Sequence, residues 1–232
     1  MMSAPWLLPA LTASVMALLA TPWLARIGVW GIQRWVEHDV ANRLRYVEPL
    51  WWVATAVLAL AMGLSLPLEI EGSMPAEILA AALVGLSAAL LIQLARIDAH
   101  CQLLPDPLTL GLLLSGLAFH AIFFPQHLND SAIGALLGYA MLWSLALVFR
   151  WVRKVEAMGR GDFAMTAGIG AWLGWQALPL ALVLACIFAL SFALLKRMNK
   201  NFSALTQPFL SQELAFGPAL CAGAASAWIA LG

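Results

Sequence analysis

Most of this chain repeats one pattern, an apolar run about as long as a bilayer is thick followed by a short polar break. The runs lie near 5–24, 50–66, 76–95, 108–124, 131–149, 163–175, 178–195 and 214–231. Roughly 20 apolar residues carry a helix across a bilayer core, and most runs approach that length. The pattern predicts an all-α polytopic membrane protein, a bundle of about eight transmembrane helices with no soluble domain. Residues 163–195 also read as one broken segment. The first run resembles a signal peptide only in position, because no Lys or Arg precedes it and no small-x-small site closes it, so it is taken as a membrane helix.

Composition strengthens this picture. Of 232 residues, 63% are hydrophobic and 10% charged, against about 25% charged in a soluble domain. The formal net charge is zero, so no global field points to a nucleic-acid partner.

The placement of the charges carries more information than their sum. Lys and Arg collect in short cytoplasmic loops. Numbered alternately, the eight runs put all 12 Lys and Arg on one side: Arg26, Arg34, Arg43, Arg45, Arg96, Arg150, Arg153, Lys154, Arg160, Lys196, Arg197 and Lys200. The other side receives Glu69, Glu71, Glu77, His127 and Asp130. Both termini then lie outside, and Asp98 and Asp106 are expected at the cytoplasmic surface. Trp23, Trp51, Trp52, Trp151 and Trp175, near span ends, suit interfacial anchoring. Cys101, Cys186 and Cys221 form no C-x-x-C pair and His100 has no spaced partner, so neither a metal site nor a disulfide framework is expected.

Two loops on the basic side stand out chemically. In "RIDAHCQLLPDPLTLGLLL", Asp98 closes the third run, and Pro105 and Pro107 bracket Asp106 and stop one helix continuing into the next. In "VEAMGRGDFAMTAGIGAWLGW", Gly159 and Gly161 flank Arg160 just before Asp162 opens the sixth run. Asp162 reads as a helix N-cap, and Asp98 and Asp106 as solvated loop acids. Their joint position shifts the balance toward function: acids at the cytoplasmic ends of two helices, one beside a glycine-rich break, are placed to face each other across a bundle, and ionisable residues at a membrane edge are functional candidates by default. The glycines fit a tight turn or allow the backbone to move.

These two stretches resemble the motifs of the bacterial type IV prepilin peptidases, the membrane aspartic proteases of the G-x-G-D type that process prepilins and the pseudopilins of type II secretion. The first motif here is "IDAHCQLLPDPLTLG", with Gly111 where the family usually has proline. The second is Gly159, Arg160, Gly161, Asp162 followed by "AWLGW". Weaker matches are "AFGPAL" at 215–220 and "NRLRYVEPL" at 42–50. The resemblance spans roughly 42–231 in family order. It departs at Ala164, a usual lysine, and at Ala157, a usual glycine. The family's "GSFLNVVIxRLP"-like opening and paired C-x-x-C loop, linked to N-methylation, are replaced by "ARIGVWGIQRWVEHDVANRL".

The resemblance implies two parts: 1–48, a first transmembrane helix and a shortened loop lacking the Cys pairs, and 49–232, a membrane-embedded peptidase domain. It implies an aspartic endopeptidase with Asp98 and Asp162 as the catalytic pair and Asp106, Gly159 and Gly161 in support. The substrates are prepilins or pseudopilins, cut between a short basic leader and a hydrophobic helix at the cytoplasmic face of the bacterial inner membrane. Pilus assembly and secretion both fit. Glu48 and Glu156 are candidates to attract the leader, or are solvated loop acids. No metal or other cofactor is expected for hydrolysis, and S-adenosylmethionine only if methylation is retained. Lipid surrounds the bundle, and oligomeric state is open.

Helix dipoles assign Asp162, at a helix start, as base and Asp98, at a helix end, as the proton-bearing acid. Two alternatives remain: a catalytically inactive relic of the family, and a small proton- or cation-coupled transporter. A transporter would more naturally show mid-membrane acids or paired broken helices in two similar halves.

Overall fold

The computed structural model describes residues 7–32, 49–65, 74–153, 159–199 and 216–231. These form seven α-helices: α1 (Leu7–Ile32), α2 (Pro49–Leu64), α3 (Met74–Cys101), α4 (Asp106–Phe123), α5 (Leu128–Arg153), α6 (Arg160–Asn199) and α7 (Gly217–Leu231). A 3-10 turn, Pro125–His127, joins α4 to α5, and there is no strand among the described residues. Five helices are long and apolar enough to cross a membrane, while α2 and α7 are shorter apolar helices.

The count differs from the expected eight because runs 163–175 and 178–195 are two helical stretches that meet at a break with no loop between them, and are numbered together as α6. Helix α6 is broken at Gly174, with φ 73° and ψ 172°, a conformation open to glycine at little steric cost. Before the break α6 lies along α5, where Gly134 and Gly170 face each other with no room for a Cβ on either. After it, α6 lies along α7, where Gly223 meets Ala181 and Ala185. Small residues let membrane helices approach until their backbones touch.

Helix α3 is the axis of the bundle, with α1, α2, α4 and α7 all packed on it. Its most apolar stretch is 67% buried, against 17% for α5. It achieves this largely with alanines, of which Ala80, Ala81, Ala88 and Ala89 are buried. The outer surface carries Trp30, Leu136 and Trp151, all exposed. Such a surface is a liability in water and the normal state in lipid, so the chain is a multi-pass membrane protein.

The two ends of the bundle differ. At one, Phe119, Trp172 and Trp228 pack against one another, with ring centroids 5.1 to 6.3 Å apart. Trp172 donates its indole N–H to the Leu112 carbonyl, Trp228 to that of Met62, and Trp175 to Asp130 Oδ1 at 3.0 Å. Trp175 thus ties the break in α6 to the start of α5. The other end holds the acids.

Candidate active site

Helix α3 stops three residues beyond Asp98. Gln102 takes φ 53°, the left-handed conformation that often follows a helix end, and its N–H donates to the Asp98 carbonyl at 2.9 Å. Pro105, at φ −73° and ψ 125°, then starts α4, with Asp106 and Pro107 in its first turn. Proline is suited there, where an N–H would have no helical acceptor. The loop between is held in place from two sides. The end of α1 presses on it through Gly31, close to Pro105 and Pro107, and the start of α6 through Gly161.

That second contact gives one motif glycine its reason. A Cβ on Gly161 would stand 2.5 Å from Leu104 Cβ, whereas one on Gly159 would meet only Asp162 Oδ2 at 3.7 Å. Neither has the positive φ that a glycine-only turn requires; among described glycines only Gly174 does. Gly161 is therefore small so that α6 can lie against the "LLPD" loop.

Asp162 is not the N-cap that its sequence position suggested. It is the third residue of α6, half-buried, with its N–H donating to Gly159 O at 3.2 Å and its own carbonyl accepting from Thr166 Oγ1 at 2.8 Å. Nor is Asp98 a surface acid, for it is only 5% exposed. Its Oδ2 accepts the backbone N–H of Gly217, first residue of α7, at 2.7 Å. The start of α6 beside Asp162 packs through Gly161 on Leu104 of the loop that follows Asp98, which sets the two acids near enough for the charge of one to act on the other. Acids from motifs 64 residues apart thus converge at one end of an otherwise apolar bundle.

Both acids meet a helix amino end, Asp162 that of its own helix and Asp98, from the end of α3, that of α7. The macrodipole therefore does not separate their roles in the way expected from Asp98's position on α3 alone.

The remaining expected residues fall into place unevenly. Asp106 is exposed on the first turn of α4 and makes no hydrogen bond with either acid. Glu48 and Glu156 lie outside the described residues. Arg96, counted among the loop cations, is instead 2% exposed, with its Nε donating to Gln93 Oε1 at 3.1 Å. Gln93 Nε2 is buried, with no hydrogen-bond partner among the described residues. Among the described residues no three His, Cys, Asp or Glu gather as a metal site. Gly217 was not foreseen as a partner of Asp98. The match "AFGPAL" marked its place, but contact across 119 residues leaves no trace in spacing.

Residues 85–194, which hold both acids, match the model of the type IV leader peptidase family. The chain is 36% identical over 227 residues to the prepilin leader peptidase/N-methyltransferase of Aeromonas salmonicida (strain A449), covering 96% of this chain and 69% of that protein. It is 52% identical over 96 residues to the protein of that name from Klebsiella pneumoniae, covering 41% of this chain and 42% of the relative. With that from Escherichia coli (strain K12) it shares 37% over 141 residues, 61% of this chain and 56% of the relative. No solved structure matches. An apolar bundle with two acids converging from these motifs, and similarity over nearly its whole length to such relatives, shows that the chain belongs to the type IV leader peptidase family.

Proposed function

We propose that this protein is a membrane aspartic endopeptidase that removes the basic leader of prepilins or pseudopilins, with Asp98 and Asp162 as its catalytic pair. The observation that carries the reading is the convergence of Asp98, buried on α3, with Asp162 at the start of α6. Isolated acids are expensive in an apolar bundle, and two brought together from separate motifs call for a joint function.

The chemistry uses both carboxyl groups. Neighbouring carboxylates about 3 Å apart share one proton because both cannot easily ionise. The ionised member takes a proton from water as the water oxygen adds to the scissile carbonyl carbon. The protonated member gives its proton to the carbonyl oxygen. On collapse of the tetrahedral diol the carboxyl that took the water proton gives it to the amine nitrogen as the C–N bond breaks, and the other carboxylate takes a hydroxyl proton, so the leader leaves with a new carboxyl group, the mature chain with a new amine, and the pair again holds one proton. No covalent enzyme intermediate forms.

We read the acid-bearing end as facing the cytoplasm, at the inner membrane, because the Lys and Arg other than the buried Arg96 fall on one side of the alternately numbered runs. A basic leader held back on that side, ahead of a hydrophobic helix, delivers its cleavage bond to this level. Of the double name of the relatives we carry the peptidase half to this chain. The C-x-x-C pairs associated with methylation are absent from its sequence, and no step here uses S-adenosylmethionine.

The test is leader removal from a purified prepilin, read by product mass, with wild type, Asp98→Asn, Asp162→Asn and Asp106→Asn. Loss of cleavage in the first two variants and weakened cleavage in the third is the expected result. Full activity of Asp98→Asn or Asp162→Asn removes the pair. An inactive wild type across several prepilins favours the relic. The same masses report any added methyl group, and none is expected.

A further inference from the structure

Asp98 is the least exposed acid among the described residues, and from them its side chain accepts one hydrogen bond, from Gly217 N–H to Oδ2 at 2.7 Å. Oδ1 accepts no hydrogen bond from the described residues. Gly217 also lacks room for any side chain. A Cβ there would stand 2.7 Å from Asp98 Oδ2 and 2.9 Å from both Cγ and Cβ of Asp98. The next residue, Pro218, has no N–H to offer, so the first turn of α7 presents its donor from position 217. Three features therefore meet at one residue: a short charge-assisted bond, a steric fit that only glycine allows, and a proline that removes the neighbouring donor.

We propose that Gly217 is a positioning residue for the reaction, holding Asp98 Oδ2 so that Oδ1 is the oxygen left to work with Asp162 and water. This deepens the peptidase reading and rests on it. A hydrogen bond to a carboxylate fixes both distance and torsion, and a reacting group misplaced by about 1 Å loses on the order of 100-fold in rate. In Gly217→Ala the new Cβ enters the space of the Asp98 carboxyl, so the acid turns away from its place beside Asp162. The apolar remainder of α7, which packs on α3 and α6, keeps its contacts.

Two variants and one spectrum test this. Gly217→Ala displaces Asp98 by bulk. Replacing residue 217 by its hydroxy-acid counterpart turns the amide into an ester, which deletes the N–H without adding bulk. The expected outcome is a kcat lowered about 100-fold in Gly217→Ala and about tenfold in the ester, with KM within threefold of wild type in both. The infrared band of the Asp98 carboxyl, isolated by difference against Asp98→Asn in protein carrying isotope-labelled aspartate, shifts in both variants. A wild-type kcat in the ester variant, or an Asp98 band unmoved in it, overturns the proposal. The band is read whether or not a prepilin is cut. An inactive wild type therefore sinks the peptidase reading, while the Gly217 contact is judged separately by its spectrum. Should Gly217→Ala fail to fold, the ester variant alone decides.

Discussion

Asp98 is buried to 95% because four separate segments crowd round the end of its helix: the "LLPD" loop, the end of α1, the start of α6 and the start of α7. Burying a carboxylate without hydrogen bonds costs several kcal/mol, and among the described residues the Gly217 N–H is the donor that offsets part of it. The two motif glycines beside it do different things, which gives a prediction. Gly161→Ala puts a Cβ within 2.5 Å of Leu104 Cβ and is expected to destabilise by about 1–3 kcal/mol and lower turnover at least tenfold. Gly159→Ala meets only ordinary contact and is expected to change stability by less than about 0.5 kcal/mol and turnover by no more than about threefold. Melting in detergent and initial cleavage rates check both, and equal effects at the two positions contradict the packing explanation. In the sequence the two glycines looked alike, as turn formers or hinges. What separates them is which neighbour each faces, and that neighbour, Leu104, comes from another helix end.

At the scale of the elements, α6 is the informative case. Hydropathy alone divides it at about residue 176, and the division is real: the break is Gly174, inside the "AWLGW" stretch. Pattern finds the break because Trp175, Gln176 and Pro179 interrupt the apolar run, but it cannot decide between one kinked helix and two, since that depends on the φ and ψ of one residue. Gly174→Ala forces an alanine into φ 73° and is expected to cost about 1–3 kcal/mol, seen as a lower melting temperature in detergent. An unchanged melting temperature contradicts a strained break at this residue. The helical starts and stops around Asp98 were legible for a firmer reason, because Pro105 and Pro107 constrain the backbone by themselves. The N-cap reading of Asp162 failed by three residues, as α6 begins earlier, at Arg160. The burial of Arg96 was hidden for the opposite reason. Counting cations by side assumes that each reaches water, whereas Arg96 turns inward and bonds Gln93.

Over the whole molecule, the acids occupy one end of the bundle and the aromatic cluster of Phe119, Trp172 and Trp228 the other. With the native cysteines replaced, a cysteine at Arg160, beside the acids, is expected to react with a membrane-impermeant maleimide only from the cytoplasmic side. One at Gln126, at the aromatic end, is expected to react only from outside. The reverse labelling pattern would place the acids on the wrong side for a cytoplasmic leader. Above sidedness stands the claim that Asp98 and Asp162 act as one unit, and a double-mutant cycle on cleavage tests it most directly. Groups that act together are non-additive in rate. With kcat measured for wild type, Asp98→Asn, Asp162→Asn and the double variant, the pair predicts that the double variant is no slower than the slower single one. Losses that multiply, so that the double variant falls by the product of the two single effects, would contradict a shared catalytic pair.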